Sequence, residues 1–225
     1  MKPTLTWAQP PQAVLFDLDG TLADTAGDLA GALNRLRAQQ GLPPQPLELL
    51  RPWASAGARG LLAAGMDIHP DHPDYESYRL GFLDAYMGCL AETTSLFDGM
   101  EAVLQDIEAR GLKWGVVTNK PHRFTVPVMA GLGLQTRAGV IISGDTTAHA
   151  KPHPLPLLTA CEQLGVDPAA TLYVGDDLRD IQAAKAAHMP SAAAAWGYLG
   201  HGTDIRVWEA EVIVPTPTDL IACWA

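Results

Sequence analysis

From Thr94 to Val214 the chain alternates apolar runs of strand length with stretches of helical period, and that rhythm leaves few folds open. Helical spacing over Gly99 to Arg110, Pro121 to Leu132, Pro154 to Leu164 and Leu178 to Ala187 is interleaved with expected strands. These fall at Lys113 to Val117, Gly139 to Ile142, Thr171 to Val174, Ala192 to Ala195 and Val212 to Val214. Strands that alternate with helices pair in parallel with helices on both faces, so the pattern predicts an α/β fold with a doubly wound parallel sheet. Val14-Leu15-Phe16 adds a strand near the start. Between it and residue 94 no strand is expected. Asp24 to Gln40, Gly57 to Ala64 and Tyr75 to Leu90 have helical spacing, with Asp24 or Thr25 available as the first cap and Gly41-Leu42-Pro43-Pro44 as the first stop. The chain is therefore expected to divide into a core of residues 1–23 and 95–225 and a small α-helical insert of residues 24–94. Its 225 residues, 48% of them hydrophobic, suffice for that arrangement.

Open sheets of this kind bind ligands at the carboxyl ends of their strands. The first strand ends in Asp17-Leu18-Asp19-Gly20-Thr21, two carboxylates two residues apart, with Gly20 able to make the turn both require. One such acid can attack a phosphate ester, the other can protonate the leaving oxygen and later deprotonate water, and a divalent cation cancels the charge between them. The same four-residue pattern also occurs in calcium loops and plain turns, so the other strand ends decide. Thr118-Asn119 offers a hydroxyl and an amide that donate to phosphate without adding charge. Lys151, before Pro152, can offset the charge of Asp17 and of a phosphoryl group. Gly175-Asp176-Asp177-Leu178-Arg179-Asp180 places an acid cluster where a helix opens. Each alone reads more simply as a turn, a surface charge or an acid serving the helix dipole. Together, in order and at strand ends, they point to phosphoryl transfer.

These four segments resemble, in the same order, the four motifs of the haloacid dehalogenase superfamily, and nothing in them departs from that pattern. The resemblance implies a Rossmann-like catalytic core, Asp17 as nucleophile and Asp19 as general acid/base. It implies Thr118, Asn119 and Lys151 as phosphate-binding groups, Lys151 being catalytic as well. It implies Mg²⁺ held by the side chains of Asp17 and Asp176 and by the backbone carbonyl of Asp19, with Asp177 and Asp180 behind them. The insert would be a mobile cap that closes over the ester. Its expected contact is the turn Ser55-Ala56-Gly57-Ala58-Arg59-Gly60, with Arg59 meeting an anionic or hydroxylated leaving group.

Asp24-Thr25, Gly57-Ala58-Arg59, Phe97-Asp98-Gly99-Met100 and Thr118-Asn119-Lys120-Pro121 look like bacterial phosphoglycolate phosphatases. Trp114-Gly115-Val116-Val117, Gly175 to Ile181 and Trp196-Gly197-Tyr198 are at least as similar to the related N-acetylmuramic acid 6-phosphate phosphatases. The implied substrate is a small phosphorylated metabolite, 2-phosphoglycolate first and the amino-sugar phosphate as the alternative. A phosphohexomutase would share all four motifs but must shield its aspartyl-phosphate from water, and no segment marks that restraint. A dehalogenase would have no need of Mg²⁺ or of Asp19 as an acid.

Fifteen basic against 25 acidic residues give a net charge of −10, which opposes nucleic acid and anionic membrane as partners. Cys89, Cys161 and Cys223 have no metal-ligand spacing and are expected as buried, reduced thiols. Met1 to Gln12 lacks an apolar stretch of signal-peptide length, and the expected location is the cytoplasm.

Overall fold

The computed structural model describes residues 5–7, 9–200, 202 and 204–224; residues 1–4, 8, 201, 203 and 225 of the expected core, and with them part of the leader reading, lie outside the described residues. The elements in order are β1 (Ala13–Phe16), β2 (Ala23–Asp24), α1 (Ala26–Gln39), α2 (Leu47–Leu50), α3 (Gly57–Met66), α4 (Tyr75–Met87), β3 (Ser95–Leu96) and α5 (Met100–Ala109). They continue with β4 (Lys113–Val117), α6 (His122–Gly131), β5 (Val140–Ile142), α7 (Leu155–Leu164), β6 (Thr171–Gly175), α8 (Leu178–Ala186), β7 (Ser191–Ala194) and β8 (Val212–Val214). Six strands form one sheet in the order β5-β4-β1-β6-β7-β8, every neighbouring pair parallel.

All four residues of β1 are buried, as a strand must be when helices cover both faces of its sheet. The chain winds outward on one side of β1 through β4 and β5, then crosses to β6 on the other. The carboxyl end of β1 is thus the switch point where a crevice opens.

The expected doubly wound sheet is present, and every expected element is found with its ends shifted by three residues at most. Three local features were not expected. β2 and β3 form a two-residue antiparallel pair, Ala23 opposite Leu96 and Asp24 opposite Ser95, where the chain leaves the sheet domain and returns to it. Strands this short show no alternation. Second, α2 and a 3-10 segment, Arg51–Ala56, lie in a stretch for which no element was expected.

Third, neither Asp24 nor Thr25 caps α1 as anticipated. The amides of Thr25 and Ala26 donate to the phenol oxygen of Tyr198 at 2.7 and 2.9 Å, and Asp24 accepts only a longer bond, 3.3 Å, from Ala26. The Thr25 hydroxyl instead donates to Asp19 at 2.6 Å. Tyr198 wins because its phenol reaches two orphan amides of the helix at once, where a single hydroxyl would satisfy one.

The residues between β2 and β3 are helical and share their own apolar cluster, which includes Leu29, Leu33, Leu36, Leu61, Leu62 and Phe82. That cluster extends onto Phe124 and Tyr198 of the sheet domain, so the insert is packed against the crevice rather than standing clear of it. Among the described residues the three cysteines are free and buried, and no helix is long and apolar enough to cross a membrane.

Candidate active site

The ends of β1, β4 and β6 and the loop before α7 converge on the crevice. Asp17 directly follows β1, and its amide donates to the carbonyl of Val174 at 2.9 Å, pinning it beside β6. Asp176 directly follows β6 and is fully buried. It accepts hydrogen bonds from the Thr21 hydroxyl at 3.0 Å, the Ser55 hydroxyl at 3.0 Å and the Tyr198 amide at 2.8 Å. Gly20 has φ +88°, and a Cβ there would lie 2.2 Å from a carboxylate oxygen of Asp176, so both backbone and space demand glycine.

Lys151, from the loop before α7, is buried with its ammonium among acids. Its Nζ donates to Asp180 at 2.7 Å, to Tyr173 Oη at 2.7 Å and to the Val117 carbonyl at 3.0 Å. Those three bonds use all its protons, so Asp17 Oδ1, also 3.0 Å away, is held by charge alone and receives no hydrogen bond. Burial works against the ammonium, but Asp17 and Asp180 outweigh it and hold the lysine above its ordinary pKa.

One oxygen each from Asp17, Asp176 and Asp180 lie within 4.8 Å of one another, all three residues buried. Three carboxylates against one ammonium leave an excess of two negative charges in a site with little water to screen them. Burial first, then the charges of Asp17 and Asp180, push the Asp176 carboxyl up to about 8. Only oxygen donors are offered, one of them has no hydrogen-bond partner, and with all three acids ionised the excess charge is two. That is the donor set of a hard divalent cation such as Mg²⁺. Asp17 and Asp176 would hold it, since Asp180 is claimed by Lys151 and by the cap of α8, where it accepts from the Asp177 amide at 3.1 Å. Asp177 caps the same helix and pairs with Arg179 at 2.7 Å.

Asp19 turns its side chain away from this cluster toward Lys120, 2.8 Å from Oδ1, and toward Thr25. Its carboxylate therefore stands outside the acid cluster of Asp17, Asp176 and Asp180. Asn119 has a role that its residue type did not reveal. Its side-chain amide donates to the Lys151 carbonyl and accepts from the Lys151 amide, both at 2.9 Å, so it ties down the backbone that carries Lys151. The Thr118 hydroxyl accepts from the Lys120 amide at 3.1 Å and lines the same cavity as Asp17, Asp19, Asn119 and Lys151.

Arg59 is not brought to this cavity. It is exposed on the first turn of α3, because the neighbouring Gly60 takes the inward position, with its missing Cβ only 2.4 Å from Ala56. The guanidinium at the cavity wall belongs to Arg179, which is bound to Asp177 and to the Ser55 carbonyl at 3.0 Å. Sequence reasoning also passed over Lys120 and Tyr86, whose side chains meet at 2.7 Å across the seam between sheet domain and insert. No spacing rule links positions so far apart.

Residues 14–194 match the family Haloacid dehalogenase-like hydrolase. The chain belongs to the haloacid dehalogenase-like hydrolases. A phosphoglycolate phosphatase of Xanthomonas campestris pv. campestris (strain 8004) is 47% identical over 210 residues, 93% of this chain and 95% of the relative. An N-acetylmuramic acid 6-phosphate phosphatase of Pseudomonas aeruginosa is 44% identical over 93% of each chain. Among solved structures, a predicted phosphoglycolate phosphatase from Haemophilus somnus 129pt superposes with a TM-score of 0.82 at 26% identity, covering 95% of this chain and 98% of that one. This haloacid dehalogenase-like hydrolase is accordingly a phosphatase. The two relatives differ in the ester each is named for.

Proposed function

We propose that the chain hydrolyses the phosphomonoester of a small carboxylated metabolite, 2-phosphoglycolate first, through a phosphorylated Asp17. The observation that carries this reading is the size of the space above Asp17. With the insert packed down, the cavity is about 190 Å³ and is walled by Leu29, Phe82, Leu83, Tyr86 and Phe124. Enclosing a drug-sized ligand takes roughly 300 Å³ or more, so the space suits a short leaving group better than a substituted sugar ring.

The Asp17 carboxylate attacks phosphorus in line with the ester oxygen, which leaves with a proton from Asp19. Asp19 then takes a proton from the water that opens phospho-Asp17 and releases phosphate. Lys151 offsets charge on Asp17 and the phosphoryl oxygens throughout, held in place by Asn119, Tyr173 and Asp180. A Mg²⁺ ion held by Asp17 and Asp176 would supply Lewis-acid stabilisation of the phosphoryl charge. The apolar wall favours a closed, dry reaction space once the insert acts as a cap.

A second reading, the amino-sugar phosphate, is favoured by the identity with the Pseudomonas aeruginosa enzyme and by the same apolar wall, which would suit a ring if the cap opened wider. Phosphate release from 2-phosphoglycolate and N-acetylmuramic acid 6-phosphate, measured side by side, tests the choice. The expected kcat/KM is at least about tenfold higher for phosphoglycolate, and the opposite order overturns the assignment. Asp19→Asn is expected to lower kcat about 10²-fold or more while Mg²⁺ affinity, followed by calorimetry, stays within about threefold. A parallel collapse of both would place the Asp19 side chain on the metal instead.

A further inference from the structure

Two proton donors on the cavity wall have no acceptor. Lys120 is buried, its side chain only 6% exposed, and of its three ammonium protons one goes to Asp19 at 2.8 Å and one to Tyr86 Oη at 2.7 Å. The third has no partner among the described residues. Tyr86 is buried too, and its oxygen accepts from Lys120, which leaves its own hydroxyl proton without an acceptor among the described residues. Burial pushes the Tyr86 phenol up to about 12, so that proton stays on through the neutral range. The ring is fixed by Phe82, stacked at 6.3 Å, and Phe124, tilted at 5.4 Å, with the Lys120 ammonium 4.6 Å from its centre. Both side chains line the cavity that holds Asp17 and Asp19.

We propose that Lys120 of the sheet domain and Tyr86 of the insert together form a receptor for a carboxylate on the leaving group of the substrate. A carboxylate only accepts hydrogen bonds, which is what two unmatched buried donors require, and its charge suits the ammonium. Lys120 also touches Asp19, the group assigned to the ester oxygen, so the receptor lies within a few bonds of that oxygen. A carboxylate one carbon from the ester oxygen, as in phosphoglycolate, fits that reach. Arg179, the other cation on the wall besides Lys151, is committed to Asp177 and the Ser55 carbonyl. Because Tyr86 is carried by α4, the receptor is complete only with the insert seated, so recognising the acid and closing the site become one event. This inference rests on the reading of the substrate as a small carboxylated phosphomonoester.

The test uses two non-hydrolysable phosphonates with Mg²⁺ present. 3-Phosphonopropionate replaces the ester oxygen of phosphoglycolate by CH₂, and propylphosphonate also lacks the carboxylate. Titration calorimetry of the wild type is expected to show at least a tenfold preference for 3-phosphonopropionate. Tyr86→Phe, which keeps the ring and its packing, is expected to reduce that ratio to threefold or less, and Lys120→Met to abolish it. No preference in the wild type, or equal weakening of both ligands in Tyr86→Phe, overturns the receptor. Should Lys120→Met fail to fold, Tyr86→Phe decides alone. Preference for the acid in a wild type that does not hydrolyse phosphoglycolate would keep the receptor and remove the substrate; hydrolysis without preference would do the reverse.

Discussion

Asp17→Asn is expected to abolish turnover, by about 10⁴-fold or more, while making the metal-free chain more stable. An amide nitrogen and oxygen cannot form the covalent phosphoryl bond, and a missing nucleophile removes most of the chemical step however well the rest is kept. The stability gain comes from the same crowding that builds the site. Asp17, Asp176 and Asp180 share one ammonium, and removing one charge leaves two acids with one lysine, whose Nζ lies 2.7 Å from Asp180. A gain of about 1–2 kcal/mol corresponds to roughly 2–8 °C for a chain of this size. Phosphate release and thermal unfolding in a chelator, run on wild type and variant, check both halves. An unchanged or lower midpoint together with residual turnover would contradict the assignment of Asp17.

Mg²⁺ is expected to stabilise the wild type by about 5–10 °C near pH 8.5 and by much less near pH 5.5. The sign follows from Asp176, whose carboxyl is held up at about 8. Between the ordinary aspartate range and about 8 the folded chain keeps a proton that the unfolded chain has lost, so metal-free stability falls as pH rises through that window. A divalent cation replaces the proton and reverses the loss, so its effect grows with pH. A hundredfold excess over the dissociation constant is worth about 2.7 kcal/mol, which gives the stated shift at roughly 2–4 °C per kcal/mol. Midpoints at the two pH values, with Mg²⁺ and with a chelator, measure it. A metal shift independent of pH would show that Asp176 is already ionised without the cation.

The parts of this molecule that announce themselves in sequence are those whose signal is local. β1, β4 and β6 are continuous apolar runs, and each delivers its polar residues within two or three positions of its end. Asp17, Thr118 and Asp176 were therefore found where they were expected. Lys151 was legible from its charge and its place between strands. What escaped depends on contacts between distant segments. Nothing near Asn119 says that its amide will grip the backbone of Lys151, and nothing near Tyr86 says that α4 will bring it to Lys120. Arg59 shows the converse failure. A cation at a helix start looks suited to an anion, but the helix turned it outward, because Gly60 had to face in.

The phenol of Tyr198 bears on how the chain can come to be folded at all. The first amides of α1 find their acceptor 173 and 172 residues further along, beyond β7. During synthesis, which proceeds from the amino end, the insert is made before Tyr198, yet its opening helix cannot be finished until β1, β4, β5, β6 and β7 have all appeared. A nascent chain stopped before residue 198 would present the insert with a frayed first turn and an unsealed crevice beneath it. A stretch translated well after the insert, beyond β7, is thus the one that closes the first helix.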